Sequence, residues 1–396
     1  MKQIILTCLL ALAQLSFAQN SFNPSVGIVT PEDFLTVVPY ENINGKIIIN
    51  VEVNGNPHRF IFDTGVTTTA VNKKILDASN HSTFSVLVID QSGKTDSMSV
   101  AKLNHIRIGH ADFSEVPVLA LDVDDNPIFN CFNVDGFLGS NLLARTAVRI
   151  SSIDRTIILT DNPSTLQLNK EQSSELLFPS EENRLPFIKV QFVNDKDTLT
   201  GPVLFDVGAN HWLRLHLDHL SLFQEYNVAQ HLVKSMGSAS VGIFGSAEDE
   251  VMFRASIPNM EINGAVFSGL QAETIANQNS SIGTPLFDFG IVTLDYINSL
   301  FYFEPFNKIN EINEKLFPFT PTIKDGKLII GIIWDESLKN EMSVGDEIVG
   351  ADDVDYTNYS LCDFFIKELA FKDKERLTFK LKTASGEVKS ITLERK

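Results

Sequence analysis

Two aspartates stand directly after apolar residues, and each is followed two positions later by glycine. Asp63 lies in "FIFDTGVTTTAV" (60–71), and Asp206 lies in "GPVLFDVGAN" (201–210). Burying a single carboxylate costs free energy unless a partner or a proton neutralises it. Each aspartate therefore needs a partner group, and the aspartate of the other motif is a candidate for that partner.

A repeat in the chain explains how the two motifs would meet. Asp63 and Asp206 are 143 residues apart, and Gly139 and Gly283 are 144 apart. Around these landmarks the same order of short apolar strands and glycine turns occurs twice. An internal duplication fixes the architecture, and two copies related by a pseudo-twofold axis would place the aspartates face to face.

Two facing carboxylates can hydrolyse an amide. They cannot both ionise easily, so they share a proton and their apparent pKa values separate. The ionised member takes a proton from water as the water attacks the carbonyl carbon, and the protonated member donates to the carbonyl oxygen. The sequence has no zinc-spaced Cys/His cluster, no HExxH pair and no glycine-rich phosphate loop. We therefore expect no metal and no cofactor.

Further elements accompany the two motifs. "DGFLG" (135–139) and "SSIG" (280–283) place a glycine after apolar residues at matching distances downstream. Together with "FIFDTGVTTTAV" they resemble the pepsin-like and retropepsin-like aspartic peptidases, in the bacterial form in which one exported chain carries both lobes. The resemblance covers roughly residues 40–307. It implies an aspartic endopeptidase acting on peptide or protein substrates, with Asp63 and Asp206 as the catalytic dyad.

The resemblance also implies roles for the residues beside the dyad. Thr64 would brace the opposite lobe through its hydroxyl, and Gly65 and Gly208 would allow the close backbone approach that a Cβ blocks. The second motif departs from the family pattern at Val207, where Thr or Ser is expected, so one bracing hydroxyl is missing. This departure keeps an alternative open, namely a catalytically weak or inactive relative that binds peptides in the same cleft.

The strand pattern predicts a mainly β fold with two pseudo-symmetric retropepsin-like β-barrel lobes, at 40–165 and 180–307. Short alternating segments joined by glycine turns are typical of β-hairpins. Two hairpins rich in glycine and serine, at 88–100 and 235–252, occupy matching places in the repeat and are candidates for flaps over the cleft. Behind the catalytic loops the resemblance places four packing residues: Leu138, Gly139, Ile282 and Gly283.

Residues 315–396 have the pattern of a separate, small α/β module. Strands flank "MSVGDEIVGADD" (342–353) and a helix near 360–369. The segment resembles a bacterial, protease-associated PDZ domain, which implies that a peptide C-terminus binds beside the strand 328–333. The alternative is a purely structural C-terminal cap.

The ends and the composition indicate an exported chain. Residues 1–18 combine a lysine, a short apolar run and a small-x-small step, as a secretory signal peptide does. The expected destination is the periplasm or the exterior. A net charge of −18 without a basic cluster argues against nucleic acid, and no later segment reaches membrane-spanning length. We expect a monomer in which Cys131 and Cys362 are buried small apolar residues and not a disulfide.

Overall fold

The computed structural model describes residues 3–5, 27–76, 81–124, 126–371 and 374–396. The predicted signal peptide, residues 1–18, lies outside the described residues except for 3–5. Strands account for 51% of the chain and helices for 12%, so the prediction of a mainly β protein is confirmed. Within the described ranges, no helix is long and apolar enough to cross a membrane.

The first half, up to residue 160, is built from short hairpins. Asn54 and Gly55 have the positive φ angles that a two-residue hairpin loop needs, and they join two of its strands. The strands are β1 (Gln3–Ile5), β2 (Ile28–Thr30), β3 (Leu35–Ile43), β4 (Lys46–Val53), β5 (Asn56–Phe62), β6 (Ala70–Asn72), β7 (His81–Ile89), β8 (Thr95–Ile108), β9 (Ala111–Leu121), β10 (Gly136–Leu138), β11 (Ala147–Ser151) and β12 (Thr156–Thr160). The helices are α1 (Pro127–Phe132), α2 (Ser140–Leu143) and a 3-10 turn at Lys73–Ile75.

The second half has the same texture. Asn263 and Gly264, again with positive φ angles, close its longest hairpin. The strands are β13 (Ser173–Leu177), β14 (Phe187–Val193), β15 (Thr198–Phe205), β16 (Leu213–His216), β17 (Gln230–Gly237), β18 (Val241–Gly242), β19 (Gly245–Ser246), β20 (Glu250–Ile262), β21 (Ala265–Ile275), β22 (Ser281–Ile282), β23 (Gly290–Asp295), β24 (Leu300–Pro305) and β25 (Ile309–Glu311). The helices are α3 (Leu220–Glu225) and 3-10 turns at Pro163–Leu166, Lys170–Gln172, Leu217–His219 and Thr284–Asp288.

The two halves repeat the same strand pairing around their central loops. In the first half β10 runs parallel to β5 and antiparallel to β6, and in the second half β22 runs parallel to β15 and antiparallel to β16. β6 is also parallel to β9, as β16 is to β21. The duplication in the sequence is therefore a duplication of hydrogen-bonded topology as well.

A sheet made from both halves joins them. Its order is β3–β12–β11–β23–β24–β13, and the seam between the halves is the antiparallel pair β11 and β23. Buried apolar side chains from both halves form one continuous core, which includes Phe60, Phe62, Phe205 and Phe303. Because the core is shared, the loops that follow β5 and β15 are held on a common base.

The C-terminal part forms its own sheet and its own core. The sheet order is β26 (Phe319–Lys324), β27 (Lys327–Ile333), β28 (Glu347–Ala351), β30 (Arg376–Lys382) and β31 (Val388–Glu394), with β29 (Val354–Asp355) paired to β28. Phe319, Ile330 and Phe379 are among the side chains of its separate apolar cluster. The same part contains the helix α4 (Leu361–Ile366) and a 3-10 turn at Glu336–Asn340.

The prediction about the cysteines is wrong. Cys131 of α1 and Cys362 of α4 form a disulfide, with Cα atoms 4.7 Å apart across a sequence separation of 231 residues. The two helices also bring Phe132 and Phe365 into contact, with ring centroids 6.3 Å apart. The cysteines meet only because the C-terminal part packs α4 against α1, and no motif or repeat in the sequence indicates that packing.

The C-terminal part is also hydrogen-bonded to the second half. The Ser235 hydroxyl donates to the Ile333 carbonyl at 2.6 Å, and the Ser238 N–H donates to the Gly331 carbonyl at 3.2 Å. Both acceptors belong to β27. The strand 328–333, which the sequence places beside a peptide groove, therefore already has two of its carbonyls bonded to residues of the same chain.

Candidate active site

The two aspartates occupy equivalent places in the duplicated topology. Asp63 follows β5 directly, and its N–H donates to the Leu138 carbonyl at 3.0 Å. Asp206 follows β15, and its N–H donates to the Ile282 carbonyl at 2.9 Å. Strand and downstream apolar element thus hold each aspartate in the same way. The structure brings Leu138 and Ile282 to the backs of the two loops, where the sequence places them.

The glycines behind the loops make matching contacts too. Directly after Gly139, the Ser140 N–H donates to the Val66 carbonyl at 2.8 Å. Directly after Gly283, the Thr284 N–H donates to the Ala209 carbonyl at 2.8 Å. The two loops that carry the aspartates therefore share a corresponding backbone hydrogen bond from the residue after the glycine.

The carboxyl groups of Asp63 and Asp206 lie beside each other, each against the glycine of the opposite loop, and each shifts the pKa of the other. Within each loop the glycine N–H donates to its own aspartate, from Gly65 to Asp63 Oδ1 and from Gly208 to Asp206 Oδ1, both at 2.9 Å. A Cβ on Gly65 would lie 2.4 Å from Asp206 Oδ1, and one on Gly208 would lie 2.3 Å from the Asp63 Cγ. Glycine is required at both positions because the opposite carboxyl fills the space.

Burial and charge separate this pair from ordinary carboxylates. Burial, together with the facing charge of Asp206, raises the pKa of Asp63 to about 7, although Lys46 and the Gly65 N–H act in the opposite direction. Burial also raises the pKa of Asp206 above its usual range, against the lowering effects of Lys46 and the Gly208 N–H. Both pKa values are raised and the two carboxyls are close, so the pair titrates as a unit that shares one proton.

One cross-brace links the loops. The Thr64 hydroxyl donates to the Phe205 carbonyl at 2.6 Å and accepts from the Val207 N–H at 3.0 Å. Thr64 is completely buried, as is Val207, whose side chain packs in the shared apolar core. The brace expected from Thr64 is present in the geometry, and position 207 fills space without contributing a hydroxyl.

Two cations lie beside the pair. Lys46, at the start of β4, donates from Nζ to the Gly208 carbonyl. Arg214 on β16 lies close enough to Asp206 to lower the pKa of that carboxyl. His211 donates to or accepts from the Ser281 hydroxyl at 2.8 Å, and burial lowers its pKa well below the usual value, which keeps the ring neutral. Sequence reasoning missed Lys46. In the sequence, Lys46 is distinguished only by standing directly before a run of three isoleucines.

The two flap candidates touch each other. Asp90, at the turn between β7 and β8, accepts from the Phe244 N–H at 2.7 Å. Gln91 donates from its side chain to the Val241 carbonyl. The tip of the segment 88–100 is thus latched to the segment 235–252. Whether they act as flaps stays a prediction.

No group of three or more His, Cys, Asp or Glu among the described residues is arranged to hold a metal ion. What the site offers is a pair of buried carboxyls with raised pKa values, which share a proton near neutral pH. Such a pair can donate a proton and accept one at the same place.

Comparison with known proteins gives one family match, in the first half of the chain. The sequence model of the aspartyl protease family matches residues 49–142. This segment contains Asp63 and the element 135–139, so the first half of the chain is similar to aspartyl proteases. No curated protein matches the chain. Among solved structures, the crystal structure of conglutin gamma, a basic 7S globulin from lupine seeds, is similar at 13% identity and a TM-score of 0.40, covering 69% of this chain and 95% of that one.

Proposed function

We propose that this chain is an exported aspartic endopeptidase of two lobes, 40–165 and 180–307, with Asp63 and Asp206 as its catalytic dyad. The observation that carries the proposal is the pairing of two carboxyls at equivalent ends of two equivalent loops. The match of residues 49–142 to aspartyl proteases supports the class of reaction. The substrate is a peptide or protein.

In the proposed mechanism Asp63 begins protonated and Asp206 ionised. Asp206 removes a proton from a water placed between the carboxyls, and the water oxygen bonds to the carbonyl carbon of the substrate. Asp63 donates its proton to the carbonyl oxygen, which gives a neutral tetrahedral diol. A proton then passes from Asp206 to the amide nitrogen, the C–N bond breaks, and a diol hydroxyl returns its proton to Asp63. The dyad ends with one proton, as it began.

The pH dependence follows from the raised pKa of Asp63. The mechanism needs this carboxyl protonated, so cleavage should decline as pH rises through about 7. The lower limit is set by protonation of Asp206, which Lys46 and the Gly208 N–H help to keep ionised.

Export is supported by two independent features. The first 18 residues have the composition of a signal peptide. The disulfide between Cys131 and Cys362 is a bond that persists in oxidising compartments such as the periplasm or the exterior. Both features point to the same kind of destination for the chain.

For residues 315–396 we propose a PDZ-like module whose role is structural and not the capture of a peptide along β27. Peptide binding along β27 would compete with the bonds that Ser235 and Ser238 already make to that strand. Together with the disulfide, these bonds favour the alternative that the module is a structural cap. A peptide C-terminus as its ligand would require another edge of the sheet.

The second candidate function is peptide binding without turnover, and Val207 is the observation that favours it. Only one of two bracing hydroxyls is available, which loosens control over the geometry of the dyad. The cleft would then still hold a peptide, but water would not be positioned for attack.

The deciding experiment measures peptide cleavage by mass spectrometry and peptide binding by calorimetry, on the parent and on Asp206→Asn. For an enzyme, the substitution should lower turnover about 10²–10⁴-fold while affinity stays similar or tightens, because repulsion between the carboxyls is relieved. The matched control is Asp218→Asn, which changes a carboxylate in the same half that is 86% exposed. If the parent binds peptides without cleaving them, the binding function replaces the proposed one.

A further inference from the structure

The cross-bracing of the two loops is one-sided at position 207. From the first half, the Thr64 hydroxyl grips the peptide groups on either side of Asp206, through the Phe205 carbonyl and the Val207 N–H. By the equivalence of the loops, a hydroxyl at position 207 would face the Phe62 carbonyl in return. Val207 has none.

A lysine reaches the second loop from an unexpected direction. Lys46 donates from Nζ to the Gly208 carbonyl, which belongs to the same short segment that Thr64 grips. Strands β4 and β5 are antiparallel, with Ile48 opposite Ile61. In the same register, Lys46 lies opposite Asp63. The lysine is therefore anchored beside the first aspartate and bonded behind the second.

The end of the hairpin that carries Lys46 is packed against the second loop. Gly45 has a φ of +83°, and a Cβ there would lie 2.7 Å from the Asn210 Cβ. The neighbouring Asn44 donates from its side-chain amide to the Phe365 carbonyl of α4 at 2.9 Å. The turn is thus held between the second catalytic loop and the C-terminal part, which fixes where the lysine can reach.

The second half offers no counterpart to this lysine. β14 pairs with β15 through Phe187 and Leu204, and continuing that pairing by two residues places Leu185 opposite Asp206. Leu185 is buried and apolar. The second half, which lacks the bracing hydroxyl at Val207, is thus contacted twice by the first half, through Thr64 and through Lys46.

We infer that Lys46 is a positioning residue that replaces the missing hydroxyl of position 207 by holding the Gly208 carbonyl from the opposite half. The inference rests on the proposed function, since its purpose is to fix Asp206 against Asp63. Thr64 and Lys46 together then secure the second loop from Phe205 to Gly208.

The same lysine adds a charge to the site. It faces Asp63, Asp206 and the neutral His211, and Arg214 also faces Asp206. Removing the ammonium group should therefore raise the pKa values of both aspartates, and the pH range of cleavage should move upward. A residue that only filled space would not move this range.

The test is a double-mutant cycle between Lys46→Met and Val207→Thr, with Lys46→Arg as the conservative variant. Lys189→Met is the matched control, because Lys189 lies on β14 and its ammonium group forms an exposed ion pair with Glu175 at 3.0 Å. Initial rates of peptide cleavage give kcat and KM across pH, and thermal unfolding of the same purified chains gives Tm.

For Lys46→Met we expect kcat to fall about tenfold or more, with KM changed less than about threefold, and the pH profile to move upward. Lys46→Arg should keep most of kcat. Val207→Thr should restore activity to Lys46→Met by a larger factor than it adds to the parent, because a hydroxyl matters most where the lysine brace is absent. Equal factors in both backgrounds, or an unmoved pH profile, would overturn the inference.

Two further outcomes are covered by the same variants. If the parent cleaves no peptide, the proposed function fails. The double-mutant cycle is then evaluated from the Tm values of the four chains alone. A brace then requires that Val207→Thr raises Tm more in Lys46→Met than in the parent, and additive changes refute it. If Lys46→Met does not fold, Val207→Thr should restore a folded chain, and failure to do so also refutes the brace.

Discussion

Replacing Thr64 by valine removes one hydroxyl and keeps the shape of the side chain. That hydroxyl donates to the Phe205 carbonyl at 2.6 Å and accepts from the Val207 N–H at 3.0 Å in a completely buried place. A buried polar group that loses its partner costs about 1–3 kcal/mol, so two such groups cost about 2–6 kcal/mol. We expect Thr64→Val to lower the free energy of unfolding by this amount. Thr64→Ser keeps the hydroxyl and should lose under about 1.5 kcal/mol.

Thr160→Val is a closely matched control for this prediction. The Thr160 hydroxyl is also completely buried, donates to the Phe34 carbonyl at 2.6 Å and accepts from the Asn162 N–H at 3.0 Å. It lies on β12 and does not contact the dyad loops. The two valine variants should be destabilised similarly, but only Thr64→Val should lower the kcat of the folded protein.

The free energy of unfolding is measured by urea denaturation, with tryptophan fluorescence as the signal. Peptide cleavage is measured without urea, at a temperature at which all the variants are fully folded. The reasoning is refuted if Thr64→Val unfolds within about 0.5 kcal/mol of the parent, which is the range of neutral surface changes. It is also refuted if Thr64→Ser is as damaging as Thr64→Val, because the methyl group and not the hydroxyl would then matter.

Three other predictions concern charge, covalent linkage and the hairpin tips. The raised pKa of Asp63 means that the folded state holds a proton that the unfolded state releases between about pH 4 and 7, so this carboxyl's contribution to stability is lost as pH rises to about 7. The Tm of Asp63→Asn relative to the parent should therefore increase over this range, and a constant difference would contradict the assignment. Replacing both Cys131 and Cys362 by serine should lower the free energy of unfolding by up to about 5 kcal/mol, since the bond closes a loop of over 200 residues; chemical denaturation with and without reductant measures this, and an unchanged midpoint would contradict it. Asp90→Ala should speed amide hydrogen exchange at Phe244, whose N–H loses its acceptor, and unchanged exchange there would show that the latch is not needed.

The sequence was sufficient for those parts of the site that the duplication specifies. The offsets of 143 residues between Asp63 and Asp206 and of 144 between Gly139 and Gly283 correspond to two loops with matching backbone hydrogen bonds. Alternating apolar segments and glycine turns correspond to a mainly β structure, because period-two patterns bury one face of a strand. Local pattern and repeat therefore carried most of the prediction.

What the sequence could not give depends on contacts between parts that are distant along the chain. Lys46 acquires its place from a strand register and from the packing of its turn on the opposite half, and neither leaves a motif. Cys131 and Cys362 pair because the C-terminal part packs against the first half. The sequence around a single cysteine does not reveal whether its side chain is a buried thiol or part of a disulfide. These contacts join residues that lie 231 and 162 positions apart, so no local pattern contains them.

The disulfide also has a consequence for how the protein is made. Cys131 leaves the ribosome long before Cys362, so its thiol must stay unreacted while the whole second half is synthesised and, under the proposed export, translocated. The chain has three cysteines, and Cys8 lies in the predicted signal peptide, so removal of that peptide leaves each thiol a single partner within its own molecule. Mispairing within one molecule is then ruled out, and the competing reaction joins two molecules. If the chain is exported as proposed, crowding during export should therefore produce covalent dimers, which a non-reducing gel separates from the correctly closed chain.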